Sequence, residues 1–249
     1  MAILTFKNFF KHFDGVKAVN GVTFSIEKNH ITGLVGPNGS GKSTLINLAT
    51  AMIPKDKGAL IISDHVSIDK IKPYDMRDYK ITRTFQNVRV FEQMSVFDNI
   101  MVVLTHRNVW GSLFETLANK NRQKIYEDRA MEILHLIGIP EKRNEMAASL
   151  SYGQRKLVEI GRAIAMDAEI ILFDEPYAGL FPEMVKKVSI ILKRLRDEGK
   201  AIILVEHNME IIRELCDHLV VMDAGEVLAE GHPETVLKRR DVVEAYLGE

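Results

Sequence analysis

The sequence predicts an α/β fold: a mainly parallel sheet core with an antiparallel β subdomain and an inserted helical subdomain. Three observations carry this. Short apolar runs alternate with helical patterns after about residue 167, the order of strands joined by crossover helices. One earlier run, Ile31 to Val35, feeds a glycine-rich loop and then a helical pattern from Leu45 to Met52. Between Val96 and about Ile137 the period is helical, with Ala130, Ile133, Leu134 and Ile137 on one face.

Along the chain, Ile3 to Phe9 and Val16 to Ile26 read as strands, and Asp14-Gly15 between them is a hairpin signal. Ile31 to Val35 is wholly apolar, as a buried parallel strand should be. Leu60 to Ile62 is a further strand, Pro73 to Tyr79 a short helix, and Ile81 to Phe85 a strand leading to Gln86. After the helical stretch, Leu150 opens a helix running to about Met166. Ile170 to Phe173 is a strand ending in Asp174-Glu175, Val185 to Leu195 an amphipathic helix, and Ala201 to Val205 a strand ending in Glu206-His207. Met209 to Cys216 is helical. Leu219 to Met222 and Glu226 to Ala229 form a hairpin around Ala224-Gly225, and two short helices close the chain. The expected organisation is a single domain, 1–249, with a nucleotide-binding core (1–87 and 167–249) and a helical part (88–166).

The chain has 249 residues, 46% hydrophobic and 27% charged, ordinary values for a globular protein. Its net charge of -1 argues against nucleic acid as the main partner. Cys216 is the only cysteine, so no internal disulfide forms and a reducing compartment fits. No segment approaches the ~20 apolar residues of a membrane span, and the start lacks a signal-peptide layout. Action on a membrane is therefore expected only through a partner.

The stretch Gly36-Pro37-Asn38-Gly39-Ser40-Gly41-Lys42-Ser43-Thr44 reads G-x-x-x-x-G-K-[ST], a phosphate-binding loop in strand–turn–helix context. Its glycines let backbone N–H groups converge on an anion, and the helix start adds a positive dipole end. Lys42 suits the terminal phosphates and the Ser43 hydroxyl suits Mg²⁺. In open parallel sheets ligands bind beyond the carboxyl ends of strands. Gly36, Gln86, Asp174 and His207 all fall at such ends. Asp174 suits Mg²⁺ binding through a water. Glu175, aimed elsewhere by strand alternation, suits polarising an attacking water. Gln86 and His207 suit the γ-phosphate, Mg²⁺ or that water.

Ser151 and Gln154 fit a capping box, S-x-x-Q, which accounts for both without any ligand. Gly153 is surplus to capping. With Ser151 it makes a second anion site at a helix N-terminus, which makes most sense if it meets the nucleotide of another subunit. Phe13, before the Asp14-Gly15 turn, fits equally a core aromatic or a ring stacked on adenine.

Together these residues resemble the ATP-binding-cassette (ABC) family of ATPases over nearly the whole chain. Gly36 to Ser43 resembles the Walker A loop, Gln86 the Q-loop, and Leu150 to Gln154 the signature motif. Ile170 to Asp174 with Glu175 resembles Walker B and its glutamate, His207 the switch histidine, and Phe13 the A-loop aromatic. The stretches FQNVRVFEQMSVFDNI, PYAGLFPE and RDVVEAYLGE are similar to ATPase subunits of branched-chain amino acid importers, with subunits for urea uptake or lipopolysaccharide export as alternatives. Two departures stand out: Tyr152 where the signature usually has Gly, and Phe181 where an Asp is usual after the Ala178-Gly179-Leu180 turn.

The resemblance implies a P-loop NTPase fold, ATP and Mg²⁺ as ligands, and hydrolysis at a head-to-tail dimer. Glu175, His207, Gln86 and Lys42 would serve catalysis, and Ser43, Gln86 and Asp174 the metal. Phe13, Gly36 to Thr44, Ser151, Gly153 and Gln154 would bind nucleotide. Implied partners are a second ABC ATPase subunit (identical or paralogous), transmembrane permease subunits and, indirectly, a solute-binding protein. The implied place is the cytoplasmic face of the membrane, peripherally. A soluble ABC ATPase outside transport is the further alternative.

Overall fold

A computed structural model describes residues 2–63, 66–68, 72–105 and 120–247. The chain divides into two compact units. The first comprises Met1–Arg83, Glu169–Glu175 and Leu192–Glu249; the second comprises Thr84–Ala168 and Pro176–Ile191.

Two sheets build the first unit. β1 (Ala2–Phe13) and β2 (Val16–Glu27) form a long antiparallel hairpin. The hairpin closes at Phe13 opposite Val16, with Asp14 at φ 45° and Gly15 at φ 90°. Both central residues in the left-handed region is what a tight two-residue turn demands. β4 (Lys57–Ile62) and β5 (Val66–Ile68) complete an antiparallel sheet ordered β2-β1-β4-β5. Its inward aromatics anchor the core: Phe6 stacks on Phe24 with ring centroids 4.4 Å apart, and Phe9 meets Phe6 edge-on.

The second sheet is ordered β10-β9-β3-β8-β7-β6. It contains β3 (Ile31–Val35), β6 (Ile81–Arg83), β7 (Ile170–Asp174), β8 (Ala201–Val205), β9 (His218–Asp223) and the edge strand β10 (Glu226–Gly231). All neighbours are parallel except β9 and β10, the hairpin expected around Ala224-Gly225. Every residue of β3, β7 and β8 is buried, which is why these strands read as largely apolar runs. Helices α1 (Lys42–Ala49), α6 (Met209–Leu215), α7 (Pro233–Val236) and α8 (Arg240–Leu247) also belong to this unit.

The second unit is helical: α2 (Val96–Thr105), α3 (Lys120–Leu136) and α4 (Tyr152–Ala165). The face expected from periodicity, Ala130, Ile133, Leu134 and Ile137, is no more than 1% exposed, and α3 packs against α2 and α4. Helix α5 (Pro182–Asp197) runs on from this unit into Leu192 and beyond. Residues 106–119, part of the expected helical stretch, lie outside the described residues. No helix among the described residues is long and apolar enough to cross a membrane.

The strand before Gln86 is shorter than expected. β6 stops at Arg83, and Thr84 to Gln86 already belong to the second unit. Gln86 is therefore an exposed loop residue rather than the end of a strand.

Candidate functional site

Parallel register puts the carboxyl ends of three strands at one level. Leu34 of β3 pairs with Val205 of β8, and Val205 pairs with Asp174 of β7. The segments that leave these strands are therefore gathered at one edge of the sheet: the glycine loop after β3, Glu175 after β7, and Glu206-His207 after β8.

The glycine loop is shaped by its surroundings. At Gly36 (φ 150°) a Cβ would lie 2.1 Å from the Met222 carbonyl oxygen, and at Gly41 (φ 101°) 2.2 Å from that of Ala18. No side chain fits at either place. The loop is tied to the β9–β10 turn, since the Gly225 N–H donates to the Ser40 carbonyl at 3.1 Å. Helix α1 begins at Lys42, with the Leu45 N–H donating to the Gly41 carbonyl at 2.8 Å. The Lys42 ammonium is buried within the loop. It donates to the carbonyls of Gly36 and Pro37 at 2.7 and 2.8 Å, and to Ser40 Oγ at 3.3 Å. Asn38, Gly39 and Ser43 are exposed, and Thr44 is half-buried.

Asp174 ends β7 and is buried. Glu175 follows it at φ 49°, a left-handed conformation uncommon outside glycine. Strand alternation was expected to separate these two carboxylates. Instead the backbone leaves the strand at Glu175, whose N–H still donates to the Val205 carbonyl at 3.0 Å. This places the Glu175 carboxylate 3.0 Å from His207 Nε2. The pair is open to solvent on one side, with the His207 side chain 49% and Glu175 21% exposed. Glu206, which sequence reasoning passed over, is buried and accepts from the His207 N–H at 3.3 Å.

Phe13, at the hairpin tip, is 43% exposed, with Lys11 Nζ 5.2 Å from the ring centroid. It is a surface ring, not a core one.

The remaining residues lie in the second unit. Ser151 caps α4 as the capping box requires: its Oγ accepts from the Gln154 N–H at 3.3 Å, and Gln154 Oε1 accepts from the Ser151 N–H at 3.0 Å. Gly153 has a packing reason that the sequence did not show. A Cβ there would stand 3.2 Å from Met184 and 3.5 Å from Leu180. Tyr152 lies against the Gly179 turn, and Phe181 is 81% exposed. Farther along α4, Lys156 and Glu159 are buried and hold the loop that carries Gln86. Lys156 Nζ donates to the Phe85 carbonyl at 3.0 Å, and Glu159 Oε1 accepts from the N–H groups of Phe85 and Arg89 at 3.3 Å each. Their i, i+3 spacing on one helix was the only sequence signal for this clamp.

The sequence profile of the ABC transporter family matches residues 19–178. The chain belongs to the ABC transporter family. It is an ATP-binding subunit of an ABC transporter and an ATP hydrolase. It is 35% identical over 242 residues to the high-affinity branched-chain amino acid transport ATP-binding protein BraF of Pseudomonas aeruginosa, covering 95% of this chain and 94% of that protein. It is 34% identical over 249 residues to the lipopolysaccharide export system ATP-binding protein LptB of Escherichia coli, covering 100% and 98%. The crystal structure of a nucleotide-free ATP-binding cassette from an ABC transporter matches along the full length of both chains, with a TM-score of 0.86 and 34% identity. The cassette fold expected from the motifs is thereby established.

Proposed function

We propose that the cassette powers uptake of branched-chain amino acids, as one of two ATPase subunits paired head to tail on the cytoplasmic side of membrane-spanning permease subunits. The juxtaposition of Glu175 and His207, 3.0 Å apart beside the glycine loop at one sheet edge, carries the hydrolytic part of this reading. The similarity to BraF supports the solute class, and the nearly equal similarity to LptB makes lipopolysaccharide export the second reading.

The loop N–H groups and the start of α1 receive the β- and γ-phosphates of ATP. Lys42 exchanges its loop acceptors for phosphate oxygens, and the exposed ring of Phe13 stacks on adenine. Ser43 and the buried Asp174 are hard oxygen donors at neighbouring ends of α1 and β7, a set that fits Mg²⁺. When bound, Mg²⁺ neutralises charge on the β- and γ-phosphate oxygens. Glu175 accepts a proton from the attacking water. His207 Nε2 orients the Glu175 carboxylate and the γ-phosphate. Gln86 reports the occupied site to the helical unit through the loop that Lys156 and Glu159 hold.

Ser151 and Gly153, at the start of α4, complete the nucleotide site of the partner subunit. Gln154 serves there by holding the Ser151 cap. Phe181, on the exposed turn after Leu180, meets that partner in place of the usual carboxylate.

The test is the mass of the Glu175→Gln variant with MgATP, measured by light scattering after gel filtration. The expected result is a dimer holding ATP. Adding Ser151→Arg should give a monomer that still binds ATP. A Glu175→Gln, Ser151→Arg double variant that remains fully dimeric would remove the head-to-tail arrangement.

A further inference from the structure

β6 ends one strand away from Asp174, at Arg83, whose side chain is only 10% exposed. The guanidinium spans two elements. Its Nη2 donates to Asp174 Oδ2 at 2.6 Å, while Nη1 donates to Asn47 Oδ1 at 2.7 Å and to Thr50 Oγ1 at 3.4 Å. Asn47 stands four places after Ser43 on α1, and Thr50, seven places after Ser43, is the C-cap of that helix. One cation therefore joins the carboxylate that ends β7 to the helix face that begins with Ser43.

The phosphate loop has ties of its own, to the β9–β10 turn and through Lys42. What the link does fix is the spacing and orientation of Asp174 relative to Ser43. These are the two donors assigned to the divalent cation, so the inference rests on that assignment. A guanidinium suits the task because its donors lie in a rigid plane. A lysine would supply charge without the fork.

We propose that Arg83 is a positioning residue for the metal site. It holds Asp174 by Oδ2 and sets the reach from Asp174 to Ser43 through Asn47. It sets the Mg²⁺ dependence of nucleotide binding and leaves the metal-independent grip on the phosphates to the loop.

The experiment is a titration of mant-ATP binding to the full chain, in EDTA and across a Mg²⁺ series, for the unaltered protein and for Arg83→Lys, Arg83→Met and Asn47→Ala. Thermal melts are run alongside. Residues that orient metal ligands change metal affinity by roughly 10–100-fold when replaced. Both Arg83 variants should raise the half-saturating Mg²⁺ concentration by about tenfold or more, with affinity in EDTA unchanged. Asn47→Ala, which severs only the α1 side, should shift it in the same direction by less. Variants that melt lower but keep the unaltered Mg²⁺ midpoint would assign Arg83 a structural role only and overturn the proposal. Should Arg83→Met not fold, Arg83→Lys and Asn47→Ala decide on the same criterion. If the unaltered protein bound mant-ATP with no response to Mg²⁺, the cation assignment itself would fall, and the proposal with it.

Discussion

Replacing Gly41 by alanine should damage the cassette far more than the same change at Gly39, only two residues earlier. At Gly41 a Cβ would lie 2.2 Å from the Ala18 carbonyl oxygen, where ordinary carbon–oxygen contacts are about 3.3 Å. Relief requires the loop to withdraw from β2 by about 1 Å, a shift of the overpacking kind that costs ~1–3 kcal/mol. Backbone strain at φ 101° adds ~1–3 kcal/mol. At Gly39 nothing stands within 4 Å, so only the strain of φ 77° remains, ~1–2 kcal/mol. For a chain of this size each kcal/mol moves the melting temperature by about 2–4 °C. Gly41→Ala should therefore melt roughly 5–20 °C lower than the unaltered protein and lose tight mant-ATP binding, because the displaced N–H groups no longer converge. Gly39→Ala should melt only a few degrees lower, about 2–8 °C, and keep measurable binding. Scanning calorimetry with a parallel nucleotide titration reads both. A Gly41→Ala protein that melts no lower than Gly39→Ala would refute the reasoning from the Ala18 contact.

Two predictions concern other parts of the chain. Burial, followed by the nearby charges of Asp217 and Glu206, pushes the Cys216 thiol up to about 12. At pH 8 the thiolate fraction is on the order of one in ten thousand, so iodoacetamide should label Cys216 only in denaturant; stoichiometric labelling of the folded chain would contradict this. Hydrogen bonds from Lys80 and then Lys28 hold the Glu169 carboxyl below the usual range. Its folded value lies below its unfolded one, so its stabilisation is full above the unfolded value near ~4.3 and is lost as pH falls through the folded value. The stability gap between the unaltered protein and Glu169→Gln should be constant from neutral pH to about pH 5 and shrink below it; a gap that persists undiminished at pH 3 would count against the bridge.

Local signals made the glycine loop, the Asp14-Gly15 hairpin and the helical face of Ala130, Ile133, Leu134 and Ile137 legible in the sequence. Each depends on residues near one another in the chain, where turn chemistry and periodicity act. Arg83 was not legible. Its partner Asp174 is 91 positions away, and their meeting depends on β6 lying beside β7, an order that no local pattern encodes. The divergence of Asp174 and Glu175 was anticipated for the wrong reason, because alternation holds only while the strand continues and here it ends at Asp174. Gln86 was placed at a strand end for a related reason. The β-prone run Ile81 to Phe85 reads as one strand, but pairing with β7 stops at Arg83 opposite Leu172. Gly153 looked like a residue without a structural task until Met184 and Leu180 were seen to crowd it.

The most direct measurement concerns Glu175 beside His207. Steady-state phosphate release by Glu175→Gln should fall by ~10²–10⁴-fold, the range a positioned general base contributes. MgATP affinity should match that of the unaltered protein, because the phosphate loop is untouched. Near-normal phosphate release from that variant would contradict the assignment of Glu175 as the group that activates water.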